Sequence, residues 1–122
     1  MLKIISIYID EETLNKIDEL VIRKRNDILN SHLSKRKRKM LARKYNRSFI
    51  ISKLIKNVLP YAEFVGIRRN NTNCDKKTIS ICLESDLCEK IERLCKIYGC
   101  SKNVVILDLI QKGLLWKKSV NL

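Results

Sequence analysis

Five consecutive cations, Lys35-Arg36-Lys37-Arg38-Lys39, followed by Arg43 and Lys44, are the residues of this chain with the plainest chemical consequence. Like charges at that density repel one another, and such blocks commonly serve as interaction arms for a polyanion. Between Arg23 and Arg47 stand eleven Lys or Arg against one acid, Asp27, a local excess of ten. The 122 residues as a whole carry 26 Lys+Arg and 13 Asp+Glu, a formal +13, so most of the excess sits in this one stretch. Phosphate is the expected counter-charge. Double-stranded nucleic acid comes first, with RNA or an anionic membrane surface as rivals. The plain alternative is a solvated helix face, and the electrostatic footprint favours phosphate binding over it.

Other reactive residue types point to no chemistry. The five cysteines, Cys74, Cys82, Cys88, Cys95 and Cys100, are odd in number and form no Cys-x-x-Cys pair, and His32 is the one histidine. Metal ligands need a convergent cluster. These thiols read instead as small apolar residues of a reducing compartment. Gly66, Gly99 and Gly113 are isolated, so no phosphate-cradling loop is present, and no His-containing triad or paired carboxylate stands out. The expectation is therefore no enzyme, no catalytic residue, no metal, no cofactor and no small-molecule ligand.

The elements that must position the cations follow from periodicity. Lys3 to Asp10 alternates, with Ile5, Ile7 and Ile9 on one face and Ile4, Ser6 and Tyr8 on the other, which predicts a strand with one buried face. Asp10 is placed to cap a helix whose first turn holds Glu11 and Glu12 and whose apolar stripe is Leu14, Ile17, Leu20 and Val21. The stretch from Asn30 to Tyr45 lacks Gly and Pro, so either this helix runs on or Ser34 caps a new short one. A fresh cap at Asn46 to Ser48 opens a helix carrying Phe49, Ile50, Leu54, Ile55, Val58 and Leu59, which Pro60 stops.

After a polar connector the pattern begins again. Ile79, Ile81 and Leu83 alternate with Thr78, Ser80 and Cys82. Ser85 or Asp86 is expected to cap a helix with Leu87, Ile91, Leu94 and Cys95, which Gly99 ends. Ser101 caps a last helix through Trp116. A shift of 74 places Ile5, Ile7, Ile9, Ile17 and Leu20 on Ile79, Ile81, Leu83, Ile91 and Leu94. A shift of 55 places Asn46, Arg47 and Ser48 on Ser101, Lys102 and Asn103, so the difference of 19 residues is an insertion containing the basic run. The plan is a first unit over 1–60 with its insertion near 26–45, a linker over 61–76 and a second unit over 77–118.

A strand-helix-helix unit of this size has too little core to stand alone. Two units together are expected to pair their strands antiparallel and bury Ile5, Ile7, Ile9, Ile79, Ile81 and Leu83 beneath four helices. The fold class is thus mainly α with a two-stranded antiparallel β-ribbon. Such a ribbon fits the DNA major groove.

The motif "TISICLESDLCEKIERLCKIYGCSKNVVILDLIQKGL", together with "IISIYIDEETLNKIDELV" and "NRSFIISKLIKNVL", resembles the ribbon-helix-helix family of DNA-binding proteins, the group of Arc and MetJ. The doubling is similar to its tandem members, such as the AvtR-type regulators of filamentous archaeal viruses. The resemblance implies an intrachain pseudo-dimer that inserts its ribbon into the major groove of double-stranded DNA. It further implies base readout by Ile4, Ser6, Tyr8, Thr78, Ser80 and Cys82. Phosphates would be held at the helix starts by Asn46, Arg47, Ser48, Ser101, Lys102 and Asn103, beside those met by the basic run. Ile4 and Cys82 depart from the family in being poor hydrogen-bonding groups, which implies either sparse base readout or apolar contact with thymine methyls.

The function expected is a sequence-selective transcription regulator. An architectural DNA-coating protein and an antitoxin-type interaction protein are the alternatives. Self-association along DNA is a further expectation. Tyr8 and Ser80 are expected to read opposite halves of a non-palindromic site. No membrane segment or signal peptide is apparent, which points to the cytoplasm of a prokaryote or of a virus-infected host cell.

Overall fold

The computed structural model describes residues 2–62, 66–67 and 76–116. The order is β1 (Leu2–Asp10), α1 (Glu11–Leu29), α2 (Lys35–Lys44), α3 (Arg47–Val58), a 3-10 turn (Leu59–Tyr61), β2 (Lys76–Glu84), α4 (Ser85–Tyr98) and α5 (Lys102–Trp116). The molecule is mainly helical, with one two-stranded antiparallel ribbon made by β1 and β2. Its register runs from Leu2 opposite Glu84 to Asp10 opposite Lys76, with Ser6 opposite Ser80 at the centre.

The helices form one core beneath one face of the ribbon. Ile7, Ile9, Ile81 and Leu83 are almost wholly buried against Ile17, Ile50, Leu54, Ile91, Ile106 and Leu109. Ile5 and Ile79 share that face but are only half-buried, a correction to the expected buried set. α5 is the most enclosed element: Val105 through Ile110 are all buried, as for a helix covered on every side. Asp108 within that run is 5% exposed and pairs with Lys112 at 2.5 Å, which offsets the cost of burying its charge. Lys112 also donates to the Gly66 carbonyl. Where α3 crosses α5, a Cβ placed on Gly113 would lie 2.8 Å from Leu54 Cβ and 2.9 Å from Leu54 O. Glycine is what lets these two backbones meet.

Local signals explain most boundaries. The Asp10 carboxylate accepts from the Thr13 amide at 3.0 Å and from the Thr13 hydroxyl at 2.8 Å, closing the start of α1. Ser34 accepts from the Lys37 amide at 3.3 Å, so the insertion is a separate helix and α1 does not run through it. Gly99 ends α4 in the left-handed conformation, φ 62° and ψ 35°. The start of α4 differs from expectation. Glu84 is the cap residue and makes no side-chain cap bond, while Ser85 is already helical. Pro60 stops α3 as expected: the α-helix ends at Val58, and Pro60, which has no N–H to continue it, sits in the 3-10 turn that follows. Most of the linker, with Cys74, lies outside the described residues, as do residues 117–118 of the second unit. Of the linker's first residues, Ala62 belongs to the core and its carbonyl accepts from Tyr98, while exposed Tyr61 packs edge-on against Trp116. No helix among the described residues is long and apolar enough to cross a membrane.

Candidate nucleic-acid interface

The face of the ribbon turned away from the helices carries Leu2, Ile4, Ser6 and Tyr8 opposite Glu84, Cys82, Ser80 and Thr78. Leu2 is 65% exposed, Ile4 77% and Tyr8 59%; Ser6, Thr78 and Ser80 are exposed and Cys82 is half-buried. Nine residues at about 3.3 Å each make a ribbon roughly 30 Å long, and two strands about 4.8 Å apart leave room for side chains in a major groove about 12 Å wide. Three large apolar side chains on one uncovered face are unusual for a surface that meets only water. Leu2 was absent from the readers expected of this face, although it shares their parity in sequence.

Each edge of the ribbon is held by the start of a helix. Alternate residues of an antiparallel ladder turn their amide and carbonyl away from the partner strand. At Tyr8 both groups are met by Asn103, whose Oδ1 accepts from the Tyr8 amide at 2.7 Å and whose Nδ2 donates to the Tyr8 carbonyl at 3.2 Å. On the other edge, Ser48 Oγ accepts from the Cys82 amide at 2.9 Å. Asn103 and Ser48, expected to help hold phosphates at the helix starts, bond the strand edges with their side chains. The caps themselves are Asn46, accepting from the Phe49 amide at 2.9 Å, and Ser101, accepting from the Val104 amide at 3.3 Å.

The two cations at the helix starts are paired. Arg47 grips Asp18 with two bonds, 2.7 Å and 2.9 Å, and Lys102 meets Glu92 at 2.9 Å. The hydrogen bond that Arg47 donates to Asp18 raises the pKa of Arg47. The bond between Lys102 and Glu92 raises the lysine and lowers the carboxylate. All four groups keep substantial exposure, so the pairs orient the cations beside the ribbon rather than bury them. Asp18 and Glu92 stand 74 apart, so this pair of acids was legible in the repeat.

The insertion is a helical hairpin, with α2 folded back on the end of α1. Ala42 is buried against α1, and Arg25 Nε donates to the Tyr45 carbonyl at 2.7 Å where the chain turns into α3. Arg38 is half-buried and donates to the Leu29 carbonyl at 2.9 Å, closing the C-terminus of α1. Lys35, Arg36, Lys37, Lys39, Arg43 and Lys44 are exposed. Among the described residues, no carboxylate lies within ion-pair distance of those six. Arg38 differs from the other cations of the run because it is the one that faces the neighbouring helix.

Cys82, Cys88, Cys95 and Cys100 are free thiols, and burial raises the Cys95 pKa. Among the described residues, no group of three His, Cys, Asp or Glu side chains is placed to hold a metal ion. Comparison of the chain with protein families, with curated proteins and with solved structures returns no match.

Proposed function

We propose that this chain is a tandem ribbon-helix-helix protein whose two units pair within one chain, and that it is a sequence-selective regulator of transcription that inserts its ribbon into the major groove of double-stranded DNA. The observation that carries the reading is the uncovered ribbon face, set between two helix starts in a chain of net charge +13.

Internal correspondences support the pairing of units. The register is centred on Ser6 opposite Ser80, residues that the shift of 74 interchanges. The same shift carries Tyr8 to Cys82, and the shift of 55 carries Ser48 to Asn103, so each unit holds the other's strand with the equivalent residue. Arg47–Asp18 likewise corresponds to Lys102–Glu92. Such reciprocity is what a two-fold interface produces. The exposed cations of α2 add sequence-independent attraction to the duplex.

That same feature favours a second reading, an architectural protein that coats DNA with little preference. Selection of bound duplex from a random pool, followed by footprinting, separates the two. A defined motif is the result expected; uniform protection without a motif favours coating, and no binding to duplex at low salt removes both.

A further inference from the structure

The antiparallel register decides which side chains share one end of the ribbon. Ile4 lies opposite Cys82, and Leu2 beside them lies opposite Glu84, whose carboxylate is paired with Lys56 at 2.9 Å. At the other end Tyr8 lies opposite Thr78, and Lys76 lies opposite Asp10, whose carboxylate is turned to the start of α1. Ser6 and Ser80 meet in the middle. The two ends therefore differ in chemistry: one sets Leu2, Ile4 and Cys82 beside the paired Glu84 carboxylate, the other carries hydroxyls and a cation. Tyr8 and Ser80 do not belong to opposite halves, because Ser80 is central.

A second asymmetry coincides with the first. Lys44, the last residue of α2, is followed after three residues by Ser48, which bonds the Cys82 amide at 2.9 Å. The basic hairpin thus adjoins the edge at Cys82. The corresponding turn of the second unit, between α4 and α5, is just Gly99, Cys100 and the cap Ser101, with no inserted helix before Asn103.

Resting on the duplex-binding reading above, we propose that the ribbon has a fixed polarity on DNA. Ile4 and Cys82, with Leu2, meet thymine methyl groups in one half-site, and the α2 cations hold the backbone on that flank. Tyr8 and Thr78 meet hydrogen-bonding base edges in the other half. In the major groove the thymine methyl is the one apolar group on a base edge, so an apolar pair reads A·T-rich sequence there, whereas hydroxyls read donors and acceptors.

The test uses the full chain. A site is selected from random duplex, and each thymine is then replaced by deoxyuridine, which deletes the methyl alone. In the half nearer Ile4, each contacted methyl is expected to contribute about fourfold in affinity, the free energy of burying one such group. Ile4→Ala should abolish that sensitivity. Ile4 is 77% exposed, so the fold tolerates the change. Tyr8→Phe should relax the opposite half by about fivefold, the loss of one hydrogen bond, and leave the deoxyuridine effect intact. Hydroxyl-radical protection should extend further beyond the thymine half. A palindromic motif, duplex bound without any motif, or both substitutions disturbing the same base pairs would overturn the polarity while leaving duplex binding in place. Absence of duplex binding would instead remove the reading beneath it.

Discussion

Neutralising one face of α2 should change how binding depends on salt by a calculable amount. At 100° per residue, buried Ala42 and half-buried Arg38 mark the side of α2 against α1. Met40, 67% exposed, marks the opposite side. Arg36, Lys37, Arg43 and Lys44 all lie within about 60° of Met40, whereas Lys35 and Lys39 lie roughly 100° or more away. Four cations can thus face one duplex together. Each phosphate neutralised contributes about 0.9 to the slope of log K against log salt, so replacing the four by Gln should reduce the slope by up to about 3.6. Between 50 and 200 mM salt the unaltered protein would then lose about a hundredfold more affinity than the variant. Gln keeps the helix propensity of Lys and Arg, and Arg38 stays to close α1, so α2 itself should persist. Fluorescence anisotropy on a selected duplex and on a random one, at several salt concentrations, reads both slopes. The change should be the same for both, since phosphates carry no sequence information. A slope unaltered on either duplex would mean that α2 does not touch DNA. An equal change from replacing Lys35 and Lys39 would mean that bulk charge, and not this face, is what matters.

Ile7→Asp or Ile81→Asp places an unpaired charge among fully buried neighbours, and loss of cooperative thermal unfolding by circular dichroism is expected; a native-like transition would contradict the packing described. Gly113→Ala sets about 1 kcal/mol of helix propensity gained against a methyl pressed on the Leu54 backbone; the clash should win, lowering stability by about 1–3 kcal/mol, so a raised Tm would refute the close approach. Asn103→Ala removes both bonds to Tyr8 and should cost about 1–2 kcal/mol while speeding exchange of the Tyr8 amide; unchanged exchange would sink the edge-holding role. Glu92 and Glu84 are held below the ordinary glutamate pKa by Lys102 and Lys56, so their pairs stabilise the fold above the usual glutamate range and lose that contribution as pH falls through the lowered values. Glu92→Gln should accordingly flatten the acid limb of a stability profile, and an unaltered limb would show that this pair contributes nothing measurable.

Much of the architecture was legible because it depends on local rules. Period-two alternation placed both strands, since one face of a ribbon must be dry. Gly99, Asn46 and Ser101 marked helix ends through backbone chemistry that needs no neighbour. The excess of cations near Lys35 to Lys44 is a property of composition, and no folding was needed to see it.

What the sequence left open is what depends on contacts between distant residues. Pairing is decided across the ribbon, so only the folded chain puts Ile4 with Cys82 and Tyr8 with Thr78 and moves Ser80 to the centre. Side-chain bonding is decided by whichever group arrives within reach, which is why Ser48 and Asn103 go to strand edges, and Arg47 and Lys102 to carboxylates. Arg38 differs from its neighbours only because folding α2 back on α1 brings it to the Leu29 carbonyl. Local pattern alone established a repeated strand and a basic insertion; only tertiary packing chose which cations stay unpaired and which residues share each end of the ribbon, because both depend on distances between parts of the chain that sequence spacing does not encode.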